Sequence, residues 1–349
     1  MKHITAVAAL PDAARAFAAL KAHLLADHRN PAINTDTQVR VVLEGNALDM
    51  RCEGEQLMFS IEARNDNMLY FIREAVVEHL AELNAEQAEA LLWSDGSAQA
   101  SHPPNFQVLT LLRKFWVAPG LLRMTLLSPD AARLLHDGLH VKLMVPLQAD
   151  VVARWPEVAP NGKTNWPKGE YRLVVRYFTL RDVRPDAQEV DIDVMEHVGG
   201  HVFEWGLQAR AGDELGIMGP GGGLPPEPGR TVLFVADRTA LPTVARIANL
   251  QTDLNAQVLA LVPDGWPVLE YLGTSPWPVT PVNEHLSPED LQALIHAEVS
   301  ARQTDLLWFG GEHGHYRLLK QTTWPVHVKD TEVVCFWKRG GSRDAVGHD

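Results

Sequence analysis

Arg176-Tyr177-Phe178-Thr179-Leu180-Arg181 is followed by Val190-Asp191-Ile192-Asp193-Val194, then by His197-Val198-Gly199-Gly200 and Trp205. Ala211-Gly212-Asp213 and Gly219-Pro220-Gly221-Gly222-Gly223 close the stretch. On a strand, alternate side chains share a face, so Arg176, Phe178 and Leu180 point one way and Tyr177, Thr179 and Arg181 the other. One short segment thus carries a cation, a flat ring and a hydroxyl. Gly199-Gly200 precedes a helical segment with Trp205 and Leu207, and free N–H groups at a helix start bind phosphate. Taken alone, the first segment reads as an aromatic strand with charges, and the second as a strand-to-helix turn. Gly219–Gly223 precedes the apolar run Val232–Ala236 instead of following a strand, so it reads as an interdomain turn and not as a dinucleotide fingerprint. No Gly-x-Gly-x-x-Gly follows Val232–Ala236; the turn there is Ala236-Asp237-Arg238-Thr239-Ala240-Leu241-Pro242.

The segments around this stretch divide the chain. Upstream, Phe106 to Gly223 is strand-rich, with candidates at Val108–Arg113, Leu121–Leu127, His140–Val145, Tyr171–Leu180 and Val190–Glu196. Asp150 to Gly169, rich in Pro, Trp and polar residues, reads as a long surface loop, in which Trp155 and Trp166 either cover a ligand or, the favoured reading, pin the loop. Downstream, Val232–Ala236, Val258–Val262, Leu306–Phe309 and Val333–Phe336 alternate with helical segments at Thr243–Leu250, Pro288–Ala301 and His313–Gln321. That alternation predicts a parallel α/β sheet, with Cys335 in its core. Gly340 to Asp349 reads as a frayed tail. Residues 1–97 form a small α+β block. Helices are expected at Ala13–Leu25 and Asn67–Leu83. Strands are expected at Val39–Leu43, Ala47–Arg51 and Gln56–Ala63, joined by hairpin turns at Glu44-Gly45-Asn46 and Glu53-Gly54-Glu55. Ser94 to Asn105 is a linker.

Composition narrows the function classes. The 349 residues exceed one comfortable core, so two or three domains are expected. A net charge of −13 without a basic stripe argues against nucleic-acid binding. Screening beyond about 8 Å lets a few cations in one cleft dominate locally, so an anionic small ligand stays possible. No apolar run reaches membrane-spanning length, and the N-terminus lacks the apolar core of a signal peptide, so a cytoplasmic protein without membrane insertion is expected. Cys52 and Cys335 lie far apart, without metal-ligand spacing. His23, His28 and His79 fall on separate elements and define no metal site. No nucleophile–base arrangement stands out.

In order and spacing, these markers resemble the siderophore-interacting proteins, flavin-dependent ferric-siderophore reductases of the ferredoxin–NADP reductase superfamily. The resemblance runs from about Phe106 to Gly341. It also includes His140-Val141-Lys142-Leu143, Thr239-Ala240-Leu241-Pro242, Gly310-Gly311-Glu312 and Phe336-Trp337-Lys338-Arg339-Gly340. The N-terminal block resembles a small domain found fused to such proteins, without an established role.

The resemblance implies a multidomain α+β and α/β chain. Its parts would be the 1–97 domain, a Greek-key antiparallel FAD barrel at 106–223 and an NAD(P)H-binding α/β domain at 229–341. Arg176 would contact flavin phosphate, Phe178 the isoalloxazine and Thr179 the flavin ring, with Tyr177 and the turn residue His197 beside them. Gly200, His201, Val202 and Phe203 would line the pyrophosphate. Asp237, Thr239, Ala240, Gly311, Glu312 and Trp337 would edge the NADH or NADPH site, and Lys142, Lys338 and Arg339 would face a ferric siderophore. The activity implied is reduction of Fe(III)-siderophore to release Fe(II), with FAD passing electrons from NAD(P)H. The alternatives are a siderophore-binding module with little catalysis, or a flavin reductase of another small acceptor. The chain departs from the family pattern at Phe178 (usually tyrosine), Phe203 (usually a small hydroxyl residue) and Arg238 (usually glutamate). Arg238 is expected to alter the electron donor or its preference.

Overall fold

Alternation of apolar and polar residues in Lys2–Ala9 (β1) buries Ile4, Ala6 and Ala8 on one face. The chain continues through α1 (Ala13–Asp27), β2 (Ile33–Asn34), β3 (Gln38–Leu43), β4 (Asn46–Glu53), β5 (Gln56–Ala63), α2 (Asp66–Leu83) and α3 (Ala85–Ala90). The strands form an antiparallel sheet in the order β1-β5-β4-β3-β2. Its inward residues Val39, Leu57, Phe59 and Ile61 meet Phe17 of α1 and Val76, Val77 and Leu80 of α2. Asn65 caps α2 by accepting the Met68 N–H. The strand β1 and helix α3 were not expected from the sequence; β1 is a short Ala-rich run whose partner, β5, lies far along the chain at Gln56–Ala63.

The computed structural model describes residues 1–27, 31–43, 45–96, 102–148, 150–197, 199–273 and 275–340. By contacts the chain divides into two units: Met1–Phe106 with Arg154–Arg172, and Gln107–Ala153 with Leu173 onward. Glu44, His28, Val198, part of the expected linker, Gly341 and the remaining tail lie outside the described residues.

The second unit contains two sheets. The first carries β6 (Phe106–Ala118), β7 (Leu121–Leu127) and β8 (His140–Pro146). After the short pair β9 (Glu157–Val158) and β10 (Thr164–Asn165) come β11 (Leu173–Thr179), β12 (Asp182–Arg184), β13 (Glu189–Met195), α4 (His201–Gln208) and β14 (Glu214–Gly221). Seven strands join in the order β11-β8-β14-β6-β7-β13-β12, and β11 also contacts β13, which curls the sheet into a barrel. The non-sequential neighbours make the crossovers of a Greek key. Leu111, Met124, Leu143, Val190 and Ile192 fill the interior. Gly219, Pro220 and Gly221 belong to β14 instead of a turn; the turn begins only at Gly222, with φ of 60°.

The second sheet is parallel. Its elements are β15 (Thr231–Asp237), α5 (Leu241–Leu250), β16 (Asn255–Val262), α6 (Val268–Leu272), β17 (Val279–Asn283), α7 (Pro288–Arg302), β18 (Leu306–Glu312), α8 (His313–Gln321) and β19 (Asp330–Trp337). The order β17-β16-β15-β18-β19 reverses direction between β15 and β18. Ligands in such sheets bind outside the carboxyl ends of the strands at that reversal. The apolar runs at β15, β16 and β18 reflect burial on both faces. Cys335 is exposed, not in the core, because β19 is the edge strand of its sheet.

The expected surface loop at 150–169 is different in kind. Arg154–Arg172, which joins β8 to β11 in the chain, folds as part of the first unit. Trp93 Nε1 donates to the Asn161 carbonyl (2.7 Å), and Asn161 Nδ2 donates to Ala88 O (2.9 Å). Thr164 bonds Tyr70 and Glu74 on α2. The Arg73 guanidinium packs over Trp93, 5.6 Å from its ring centre, while the methylenes of the same side chain fill the space beside Gly162, where any Cβ would collide with them. Trp155 packs on Phe106 with ring centres 5.8 Å apart.

Candidate functional site

The strand β11 pairs with β8 so that Tyr177 lies opposite Lys142 and Thr179 opposite His140. The alternation read from the sequence holds. Phe178 packs on the barrel core and Leu180 is fully buried within it, while Tyr177 is exposed with the Lys142 ammonium 6.0 Å from its ring centre. Arg176 is partly buried; its Nη1 donates to the Val175 carbonyl (2.7 Å), and burial lowers its pKa.

Thr179 is buried, and its hydroxyl stands 2.8 Å from Thr243 Oγ1 and 3.2 Å from His140 Nδ1. Thr243 belongs to α5, so this contact joins the flavin-type strand to the first helix of the parallel sheet. Burial lowers the His140 pKa to about 4, which keeps the imidazole neutral at pH 7. The edge of Phe336 on β19 meets the same ring, with centres 5.8 Å apart.

Helix α4 opens at Gly200 without a side-chain cap, leaving backbone N–H groups of its first turn directed outward. A Cβ at Gly200 would fall 2.6 Å from the ring of His197, so the close turn depends on glycine. His197 is exposed and His201 half-exposed. Val202 and Phe203 are buried in the barrel core, Phe203 with its ring centre 6.0 Å from that of Trp116. These two residues therefore offer only main-chain N–H groups to a ligand. At the other end, Lys114 Nζ donates to the Gly206 carbonyl (2.8 Å), a cation placed at the negative end of the helix.

The carboxyl ends of β15, β18 and β19 bring the other expected residues together. Asp237 accepts from the Thr239 N–H (2.8 Å), the Thr239 hydroxyl (2.5 Å) and Trp337 Nε1 (2.6 Å). Burial raises the Asp237 pKa, against the lowering effect of these bonds. Gly310 sits where a Cβ would come 2.6 Å from Trp308, 2.7 Å from Ala240 and 2.8 Å from Phe336. A Cβ on Gly311 would reach Asp237 at 3.0 Å. Glu312 caps α8 through the Gly314 N–H and accepts the Arg339 N–H (3.2 Å). Although burial acts to raise its pKa, these two N–H bonds hold it below the usual carboxylate range. Lys338 and Arg339 are exposed at this edge. Arg238 is paired with Glu284, with Nε and Nη2 each 3.1 Å from Oε2, so its charge is balanced locally.

A second polar layer was not foreseen. Asp191 and Asp193 share one face of β13. The Arg123 fork holds Asp193 at 2.7 Å through both nitrogens, and the Tyr271 hydroxyl of α6 donates to it at 2.7 Å. Asp191 accepts from Thr125 (2.7 Å) and from Arg184 (2.8 Å). Burial raises the Asp191 pKa, yet these bonds bring it down overall. In the first unit, His23 and His79 lie ring against ring, 3.9 Å apart, although they come from separate helices. Among the described residues no three His, Cys, Asp or Glu side chains converge as metal ligands.

An antiparallel barrel with an uncapped helix at its rim, joined to a parallel sheet at its reversal point, defines a flavin-binding domain coupled to a nucleotide-type α/β domain. Residues 110–224 match the siderophore-interacting FAD-binding domain. Residues 5–94 match a family described as an uncharacterized protein conserved in bacteria, DUF2218. The ferric vibriobactin reductase ViuB of Vibrio cholerae is 34% identical over 145 residues, 40% of this chain and 52% of the relative. The NADPH-dependent ferric-chelate reductase of Escherichia coli is 34% identical over 164 residues, 45% of this chain and 62% of the relative. The chain thus spans about half to three-fifths of the length of these curated relatives. Among solved structures, the siderophore-interacting protein SipS of Aeromonas hydrophila superposes with a TM-score of 0.50 at 27% identity. That match covers 67% of this chain and 99% of SipS. A siderophore utilization protein from T. fusca gives 0.51 at 25%, covering 70% and 97%.

Proposed function

We propose that the chain is an FAD-dependent reductase that takes electrons from a nicotinamide dinucleotide and delivers them to a ferric siderophore. The observation that carries this reading is the Thr179–Thr243 contact at 2.8 Å. It sets the end of the flavin-type strand against the helix that starts at the nucleotide-type crevice. A donor bound at that crevice and a flavin bound along β11 would be neighbours.

The residues fit FAD. The uncapped α4 start and the Arg176 guanidinium supply N–H donors for a pyrophosphate, and Gly200 keeps the approach open. Phe178 offers an aromatic face without a hydroxyl. Bound FAD would supply hydride acceptance and stepwise electron transfer, which no side chain here can perform. The chain's own work is positional. Neutral His140 and Thr243 fix the direction of the Thr179 hydroxyl. Asp237 orders the Thr239-Ala240 turn and the Trp337 ring in one hydrogen-bond cluster. Lys142, Lys338 and Arg339 are accessible cations suited to an anionic iron chelate, whose Fe(III) is substrate. Fe(II) holds hard oxygen ligands more weakly than Fe(III) and would leave.

The test is to load the protein with FAD, reduce it anaerobically with NADH or NADPH, and mix it with several ferric siderophores. Reoxidation of the flavin with release of Fe(II) is expected. Failure of every ferric chelate to reoxidise it overturns the reading.

A further inference from the structure

The carboxyl end of β16 carries a feature that the site above does not use. Pro263-Asp264-Gly265-Trp266 forms a tight turn there, closed by Trp266 N–H to Pro263 O at 3.0 Å, with Gly265 at φ of 74°. The turn borders a cavity of about 210 Å³ lined by Val262, Asp264, Trp266, Pro281 and Asn283. Asp264 is the charged residue of that lining; no lysine, arginine or histidine contributes. Its carboxylate is exposed, with no hydrogen bond or ion pair among the described residues. Trp266 is buried, and its Nε1 donates to the Pro119 carbonyl (2.9 Å), which anchors the turn. The turns after the flanking strands β15 and β17 carry the balanced pair Arg238–Glu284 and the exposed His285.

Strand order places this cavity one strand from the reversal point, next to β15. In open α/β sheets of this order the end of the second strand meets the adenosine ribose of a dinucleotide. There, a carboxylate accepts the 2′-hydroxyl, and an arginine accommodates a 2′-phosphate. Here the position holds a carboxylate, and the cation closest in sequence to the crevice, Arg238, is already occupied by Glu284. We propose that Asp264 makes the chain selective for a nicotinamide dinucleotide with a free 2′-hydroxyl, NADH over NADPH. This rests on the reductase reading for the donor, though not for the iron acceptor. It separates the chain from its Escherichia coli relative, whose name specifies NADPH.

The experiment compares anaerobic reduction of the FAD-loaded protein by NADH and NADPH without any iron. Calorimetry with ADP and adenosine 2′,5′-bisphosphate provides a second readout. Like charges brought together at a binding site repel, so a preference of at least about tenfold for NADH is expected. ADP should bind measurably and more tightly than the bisphosphate. Asp264→Lys, at an exposed turn position, should erase or invert both preferences, and Asp264→Asn should reduce them. Equal or better use of NADPH by the unaltered protein overturns the proposal. So does an unchanged ratio in Asp264→Lys, or no binding of either nucleotide. If NADH reduces the flavin but no ferric chelate reoxidises it, the acceptor reading fails while the Asp264 proposal stands. If dithionite-reduced flavin is reoxidised by ferric chelates but neither nucleotide binds, the reverse holds.

Discussion

At the residue scale, the informative atom is the Thr179 hydroxyl, because two side chains from elsewhere in the fold determine its direction. Neutral His140 presents Nδ1 to it, and Thr243 presents a second hydroxyl. Thr243→Val keeps the shape and removes one partner. A buried hydrogen bond contributes about 1 kcal/mol, so urea unfolding should show a loss of roughly that size. Flavin content should remain and the rate of flavin reduction should fall about fivefold, measured by stopped flow. His140 makes a pH prediction. Its folded pKa of about 4 lies below the ordinary 6.5, so between those values the unfolded chain binds the extra proton. Stability therefore falls as pH drops from 6.5 towards 4, by up to about 3 kcal/mol from this group. His140→Gln should flatten that part of the unfolding profile relative to the unaltered protein; an unchanged slope would refute the assignment. Sequence reading reached Thr179 but not its partners. His140 lies in a motif where the lysine drew notice, and Thr243 is a helix residue whose meaning depends on a strand 64 positions earlier.

At the element scale, one glycine and one helix start set the geometry. Gly310 lets β18, the Ala240 turn and β19 approach within contact distance. Gly310→Ala forces Trp308, Phe336 and Ala240 apart and should cost about 1–3 kcal/mol, as overpacking in a core does; thermal unfolding measures it. The start of α4 works through main-chain groups, so the departure at Phe203 matters less than its side chain implies. That side chain faces the barrel core, as does Val202. Element positions were largely legible: β7, β5 and α8 fall at the expected residues, because alternation and helical periodicity record burial directly. Strand β14 was missed, since its Gly-Pro-Gly end looks like a turn and only pairing with β8 makes it a strand. The edge strand β17, half of it exposed, gives no apolar run to read.

At the scale of the whole molecule, the segment Arg154–Arg172 changes how the N-terminal part is understood. It connects two strands that carry Lys142 and Arg176–Thr179, yet it folds among Trp93, Arg73 and Tyr70. Removing residues 1–97 would strip it of these partners. Asn161 and Thr164, both buried in the intact chain, would lose their hydrogen bonds. The truncated chain should therefore be cleaved by protease within 154–172 far faster than the intact one, and its flavin content should fall. Equal protection in both would show that the segment orders itself. A milder probe, Trp93→Phe, removes the bond to Asn161 and should cost about 1–2 kcal/mol in urea unfolding.

The amino-acid sequence by itself determined the alternation of β11, the glycine start of α4, the parallel character of the last sheet and the resemblance carried by their order. These are local records of burial, backbone freedom and spacing. Only the tertiary structure decided that Thr179 meets Thr243, that Asp237 holds Trp337, that Arg238 is balanced by Glu284, and that 154–172 belongs with the N-terminal unit. Such contacts join residues tens of positions apart. A polar side chain looks the same in sequence whether its partner is water, a neighbour or a distant strand. The chemistry of the opening segment is set by the side chains that its own unit brings to it.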